Sequence, residues 1–183
     1  SDRTAEALLE IEKVTGKKMD IVVMIQGDEP MVTPEMISAA VQPMLESPTI
    51  QITNLMENIE TQEEHEDPAE VKVVVDKNNY ALYFSREPIP SRKKSGVNIT
   101  MLKQVCIIPF RRDFLLEYNE MEQTPLEIIE SVDMNRLLEN GIKIKMVMRD
   151  EITLAVDTKE DLNRVNELMK TDSLNQKYLS NGP

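Results

Sequence analysis

A chain of 183 residues, 40% hydrophobic and with only five glycines, can bury the core of one ordinary domain and is not disordered throughout. Its 33 acidic residues exceed 21 basic ones, a net charge of -12, and such a surface repels nucleic-acid phosphates, which sets nucleic-acid binding aside. One cysteine, Cys106, excludes an internal disulfide, and with no eighteen-residue apolar run or signal-peptide core a reducing cytoplasm is expected and membrane insertion is not.

Residues 4–14 set Ala5, Leu8, Leu9 and Glu12 at helical spacing before a stop at Gly16. Residues 21–25 form a short uninterrupted apolar run, the pattern of a parallel strand buried on both faces, and it ends at Gln26-Gly27-Asp28-Glu29-Pro30. Thr33-Pro34 then caps a helix whose stripe is Met36, Ile37, Ala40, Val41, Met44 and Leu45. Strands are expected over 50–55, 71–76 and 81–84, with a hairpin turn at Lys77-Asn78-Asn79.

Residues 57–70 hold seven acidic groups and no lysine or arginine, and read as a solvated face. Residues 86–112 hold seven basic groups against Glu87 alone, an island able to receive an anionic substrate. Its first part, 86–100, reads as an extended arm, followed by a strand over 103–110 and a helix from Arg112. Thr124-Pro125-Leu126-Glu127 is a capping box opening a helix that closes near Gly141, and 142–148 and 152–156 read as strands. Thr158-Lys159-Glu160-Asp161 opens a last helix to about Lys170, and the tail over 171–183 reads as loose. Alternating strands and helices give an α/β three-layer sandwich with a mixed, mainly parallel sheet.

In open α/β sheets ligands gather beyond the carboxyl ends of strands, where Asp28 and Asp157 both fall. Magnesium takes one or two protein carboxylates and completes its octahedron with water and phosphate oxygens, so the pair suits a shared Mg²⁺ on a triphosphate. In-line attack at phosphorus needs no protein nucleophile. His65 and Cys106 have no neighbours at metal-ligand spacing, and the scattered methionines read as core filler.

Several motifs now converge: Ser1-Asp2-Arg3, Ile25-Gln26-Gly27-Asp28-Glu29-Pro30, Val71-Lys72-Val73-Val74 and Tyr80-Ala81-Leu82-Tyr83-Phe84-Ser85-Arg86 with Ile89-Pro90. Downstream stand Phe110-Arg111, Thr124-Pro125-Leu126-Glu127 and Val156-Asp157-Thr158-Lys159-Glu160-Asp161-Leu162. In this order the chain resembles the 3-deoxy-manno-octulosonate (KDO) cytidylyltransferases, or CMP-KDO synthetases. The resemblance implies a nucleotide-diphospho-sugar transferase-like, Rossmann-like fold and transfer of CMP from CTP to the anomeric hydroxyl of a sugar acid, with Mg²⁺ on Asp28 and Asp157 as catalytic ligands. It implies Arg3 and Gln26 beside the nucleotide, and Arg86, Gln104 and Glu127 beside the sugar acid; a guanidinium suits the carboxylate. It also implies a homodimer formed through a sugar-binding arm near 86–110.

Where the family reads Arg-His-Leu-Gly-Ile-Tyr, this chain reads Lys103-Gln104-Val105-Cys106-Ile107-Ile108, so the expected acceptor is KDO or a related ulosonic acid. Such enzymes begin with a strand, a basic phosphate loop and a helix that this sequence does not contain. Residues 1–170 are therefore expected to be the C-terminal part of one catalytic domain, inactive alone. The rival expectation is a noncatalytic assembly or regulatory module that keeps the fold.

Overall fold

The computed structural model describes residues 1–91, 100–149, 154–156 and 158–181. In chain order the elements are α1 (Asp2–Thr15), β1 (Ile21–Ile25), α2 (Pro34–Glu46), β2 (Thr53–Asn58), α3 (Gln62–Glu66), β3 (Lys72–Val75) and β4 (Ala81–Ser85). They continue with β5 (Leu102–Val105), β6 (Ile107–Arg111), α4 (Arg112–Asn119), α5 (Pro125–Glu130), α6 (Met134–Glu139), β7 (Lys145–Met148), α7 (Lys159–Thr171) and α8 (Ser173–Asn181).

β1 and β6 pair antiparallel, and a bridge from Phe110 to Ile52 leads to a second sheet in the order β4-β3-β5-β2-β7. The sheet is mixed as expected, yet among the described pairings only β2 with β7 is parallel. Connection length forces antiparallel pairing only for β3 and β4, since parallel neighbours need a long crossover; β1 with β6 and β2 with β5 pair antiparallel across long stretches of chain. Residues 76–80 instead form a tight turn: Asp76 accepts from the amides of Asn78 and Tyr80 at 2.8 and 2.9 Å, and Asn79 takes φ 58°.

Side chains alternate across each strand, so a sheet between two helix layers builds two cores. Leu55, Val105 and Ile107 pack with Met36 and Ala40 of α2 on one face. Ile52, Met56, Ile108 and Phe110 meet α1, α4 and α6 on the other, through Leu8, Phe114, Leu115, Tyr118 and Leu137. This is the three-layer sandwich. β1 is less enclosed than its apolar run suggests: only Met24 is fully buried, and Ile25 is 36% exposed.

Gly16 stops α1 at φ 67°, its N–H donating to Glu12 O at 2.8 Å. The Glu12 carboxylate then takes Arg112 Nε and Nη2 at 3.0 and 2.7 Å and the Met19 amide at 2.8 Å, fastening α1 to α4. Those bonds, Arg112 first, lower the Glu12 pKa from 4.5 to about 2. A folded pKa below the unfolded one contributes stability above about pH 4.5 that is lost as pH falls toward 2. Urea midpoints of Glu12→Gln should therefore fall less than those of the parent between pH 5 and pH 2.5.

Three boundaries differ from the sequence reading. The strand expected over 103–110 is two strands in different sheets, divided at Cys106. The single helix expected after Thr124 breaks at Ser131, which adopts φ 54°. The tail is not loose over its described part: Asp172 caps α8 by accepting the Asn175 amide at 2.6 Å. Of the strand expected over 152–156, residues 152 and 153 lie outside the described residues, and 154–156 are not in a strand. Of the arm, residues 92–99 also lie outside them.

Candidate active site

The loop after β1 is fastened to the β5–β6 junction from both sides. Gln26 N–H donates to Cys106 O at 3.3 Å, and Cys106 N–H donates to Glu29 Oε1 at 3.2 Å. Glu29 is 8% exposed; burial raises its carboxyl pKa, and the Asp28 charge adds to the rise. Between these anchors Asp28 is held with Oδ1 buried and without a hydrogen-bond partner among the described residues, the condition of a carboxylate oxygen awaiting a ligand. Asp28 O accepts from Val156 N–H at 2.9 Å, so the segment 154–156 lies against this loop; Asp157 itself lies outside the described residues.

Gln26, Asp28 and Glu29 line one wall of an open cleft of about 450 Å³. The rest of the lining comes from Asp67, Ala69, Glu70, Val71, Arg86, Lys103, Gln104, Cys106, Ser131 to Asp133, Thr158 and Asp161. Among the described residues no group of three or more His, Cys, Asp or Glu side chains forms a closed metal cage. Magnesium does not need one: a single cleft-lining carboxylate with an oxygen left unpartnered by the described residues fits its preference for few protein ligands completed by water and phosphate.

Arg86 and Lys103, the described cations of the basic island that line the cleft, are spent internally; Arg92, Lys93 and Lys94 lie outside the described residues. Lys103 Nζ lies 3.1 Å from Glu57, 2.7 Å from Glu64 and 3.2 Å from Glu70, with its side chain 9% exposed. Burial depresses its pKa, but Glu70, Glu64 and Glu57 more than offset this and hold it above the ordinary lysine value. Arg86, expected to grip a carboxylate, lines the cleft yet donates to four main-chain carbonyls: Pro68 at 2.8 Å, Ala69 at 3.2 Å, Glu130 at 3.0 Å and Ser131 at 3.3 Å. Fully buried Lys72 takes the neighbouring carbonyls of Asp67 and Glu70, each at 2.7 Å. Two cations thus draw every carbonyl of residues 67–70 inward and shape that wall.

Glu130 completes the Arg86 clamp, accepting the Tyr83 and Ser85 hydroxyls and the Arg86 amide, all at 2.9 Å. Glu127, expected beside the sugar, does not line the cleft. It is 4% exposed, takes Arg136 Nη2 and Nε at 2.6 and 2.7 Å, and caps α5. Asp133, past the Ser131 break at the start of α6, lines the cleft in its place, and burial raises its carboxyl pKa. Arg3 also lies outside the lining, exposed on the first turn of α1. His65 is buried, its Nε2 hydrogen-bonded to Ile89 O at 3.1 Å.

Fold and cleft together define an α/β protein with a ligand-sized cleft beyond the end of β1. The cytidylyltransferase family model matches residues 1–144. The 3-deoxy-manno-octulosonate cytidylyltransferase of Fusobacterium nucleatum is 41% identical over 163 residues, which cover 89% of this chain and 65% of that protein. Its counterpart in Trichlorobacter lovleyi is 39% identical over 180 residues, covering 93% and 69%. A CMP:2-keto-3-deoxy-manno-octonic acid synthetase solved in complex with CTP superposes with a TM-score of 0.80 at 34% identity, over 91% of this chain and 68% of that one. A glucose-1-phosphate thymidylyltransferase of Bacillus anthracis, 18% identical with a TM-score of 0.59, shares the fold. The chain belongs to the 3-deoxy-manno-octulosonate cytidylyltransferase family and spans about two thirds of the length of the relatives it matches.

Proposed function

We propose that this protein activates KDO or a related ulosonic acid for lipopolysaccharide or another surface glycan, by attack of the sugar's anomeric hydroxyl on the α-phosphorus of CTP with release of pyrophosphate. The observation that carries this reading is Asp28: an unpartnered buried carboxylate oxygen on an anchored loop, opening on a cleft able to take a nucleotide and a sugar. Kinship to a synthetase solved with CTP supports the nucleotide.

Asp28, with Asp157, would hold Mg²⁺. Bound there, the ion supplies charge neutralisation and orientation for the triphosphate. Gln26 stands on the same loop and would meet the nucleotide, while Gln104 and Asp133, which also line the cleft, would meet the acceptor. The loop, pinned through Cys106, pre-organises these groups, so little ordering cost falls on the bound state. Ile108, where the family carries a phenol, is 1% exposed and packed in the core, which takes one hydroxyl out of the sugar site and leaves the acceptor as KDO or a close relative.

A cytoplasmic homodimer follows from the family reading, and no helix among the described residues is long and apolar enough to cross a membrane. Full-length protein incubated with CTP, Mg²⁺ and KDO is expected to release pyrophosphate. Release only with another ulosonic acid would move the acceptor, and release with none would favour a noncatalytic module.

A further inference from the structure

The cleft holds one side chain whose chemical sense is set from behind. Asn54 on β2 is completely buried. Its Nδ2 faces three carbonyls, Val105 O at 2.6 Å, Leu55 O at 3.1 Å and Ile107 O at 3.4 Å. An amide group meeting carbonyls must present N–H to them, so the Asn54 amide has one permitted orientation and Oδ1 is left as an acceptor. Gln104 Nε2 donates to that Oδ1 at 2.6 Å. Turning the Gln104 amide over would set two carbonyl oxygens against each other and leave fully buried Asn54 without its donor, where a lost hydrogen bond is costly.

The structure assigns to Asn54 the role of a positioning residue that locks Gln104 with Oε1 free toward the cleft, making this position a reader of hydrogen-bond donors on the acceptor. Gln104 lines the cleft, and no partner for its Oε1 exists among the described residues. The surrounding wall has the same sense: Glu70, Asp67 and Asp133 are acceptors when ionised, and the nearby cations Lys103 and Arg86 are committed to carboxylates and carbonyls. A ligand part rich in O–H donors, such as the polyol chain of a sugar acid, matches this wall; a carboxylate does not. The ligand class rests on the sugar-acid reading above, whereas the amide orientation does not.

Two measurements separate these. In ¹⁵N-labelled full-length protein, the Gln104 side-chain NH₂ pair, identified by its loss in Gln104→Met, should exchange with solvent about tenfold more slowly than that of exposed Gln51. In Asn54→Leu that protection should vanish. Among KDO analogues with one hydroxyl replaced by fluorine, which keeps an acceptor and removes the donor, one should bind wild type about tenfold more weakly than KDO, and Gln104→Met should erase that difference. A freely exchanging Gln104 pair in wild type overturns the lock even if Asn54→Leu fails to fold. Equal fluorine losses in wild type and Gln104→Met overturn the donor-reading role. A protected pair in a protein that binds no KDO supports the lock and overturns the sugar-acid reading instead.

Discussion

Asp28→Asn is expected to lower pyrophosphate release by the full-length protein on the order of a hundredfold or more, the scale of losing one preorganised electrostatic group from a transition state, while leaving thermal stability unchanged or slightly raised. The split follows from what Asp28 does not do. Its Oδ1 meets no partner within the described fold, so the isosteric amide removes no internal hydrogen bond. The Asp28 charge also disfavours ionised Glu29 beside it, and neutralising it relieves that repulsion. A group retained at a cost in self-repulsion and with no internal partner is the pattern of a binding residue. Initial rates at saturating Mg²⁺ alongside melting curves decide the matter, and a parallel loss of both would make Asp28 a structural residue.

Lys103→Met should be the most destabilising single substitution in the cleft, by about 3–5 kcal/mol, because it strands Glu57, Glu64 and Glu70 around an apolar tip. The pH dependence identifies the cause. Without the ammonium, burial is left to raise the folded pKa values of the Glu64 and Glu70 carboxyls, so the variant is penalised where they ionise and recovers as acid protonates them. Chemical denaturation should show the gap from wild type narrowing as pH falls from 7 toward about 4.5, the ordinary glutamate value. In wild type the raised lysine pKa makes its contribution fully present below about pH 10.5, fading only in stronger alkali. A gap constant from pH 7 to pH 4 would assign the loss to packing.

Much of this architecture was legible because local chemistry spoke for itself. Thr33-Pro34 and the capping boxes at Thr124 and Thr158 start helices where they stand, and Asp76 to Asn79 turns the β3–β4 hairpin. The Gln26 to Glu29 loop was found by its place after an apolar run, and it does line the cleft. Long-range commitments were illegible. Nothing in the linear order says that Lys103 meets Glu57, Glu64 and Glu70 across three elements, so a run that reads as a solvated acidic face supplies buried partners. Arg86 reads as an anion receptor until its carbonyl partners are seen. Glu127 reads as a sugar contact until Arg136, nine positions on, claims it. Asp133 lies past the break at Ser131, so helical spacing from Glu127 does not point to it.

The most direct test of the Gln26 to Glu29 loop as a CTP and metal site is a titration of full-length protein with CTP, with and without Mg²⁺, followed through backbone amide shifts and heat. CTP should bind saturably only with Mg²⁺, moving the amides of Gln26, Gly27, Asp28 and Cys106, and Asp28→Asn should abolish the Mg²⁺ dependence. CTP binding indifferent both to Mg²⁺ and to Asp28→Asn would contradict the assignment.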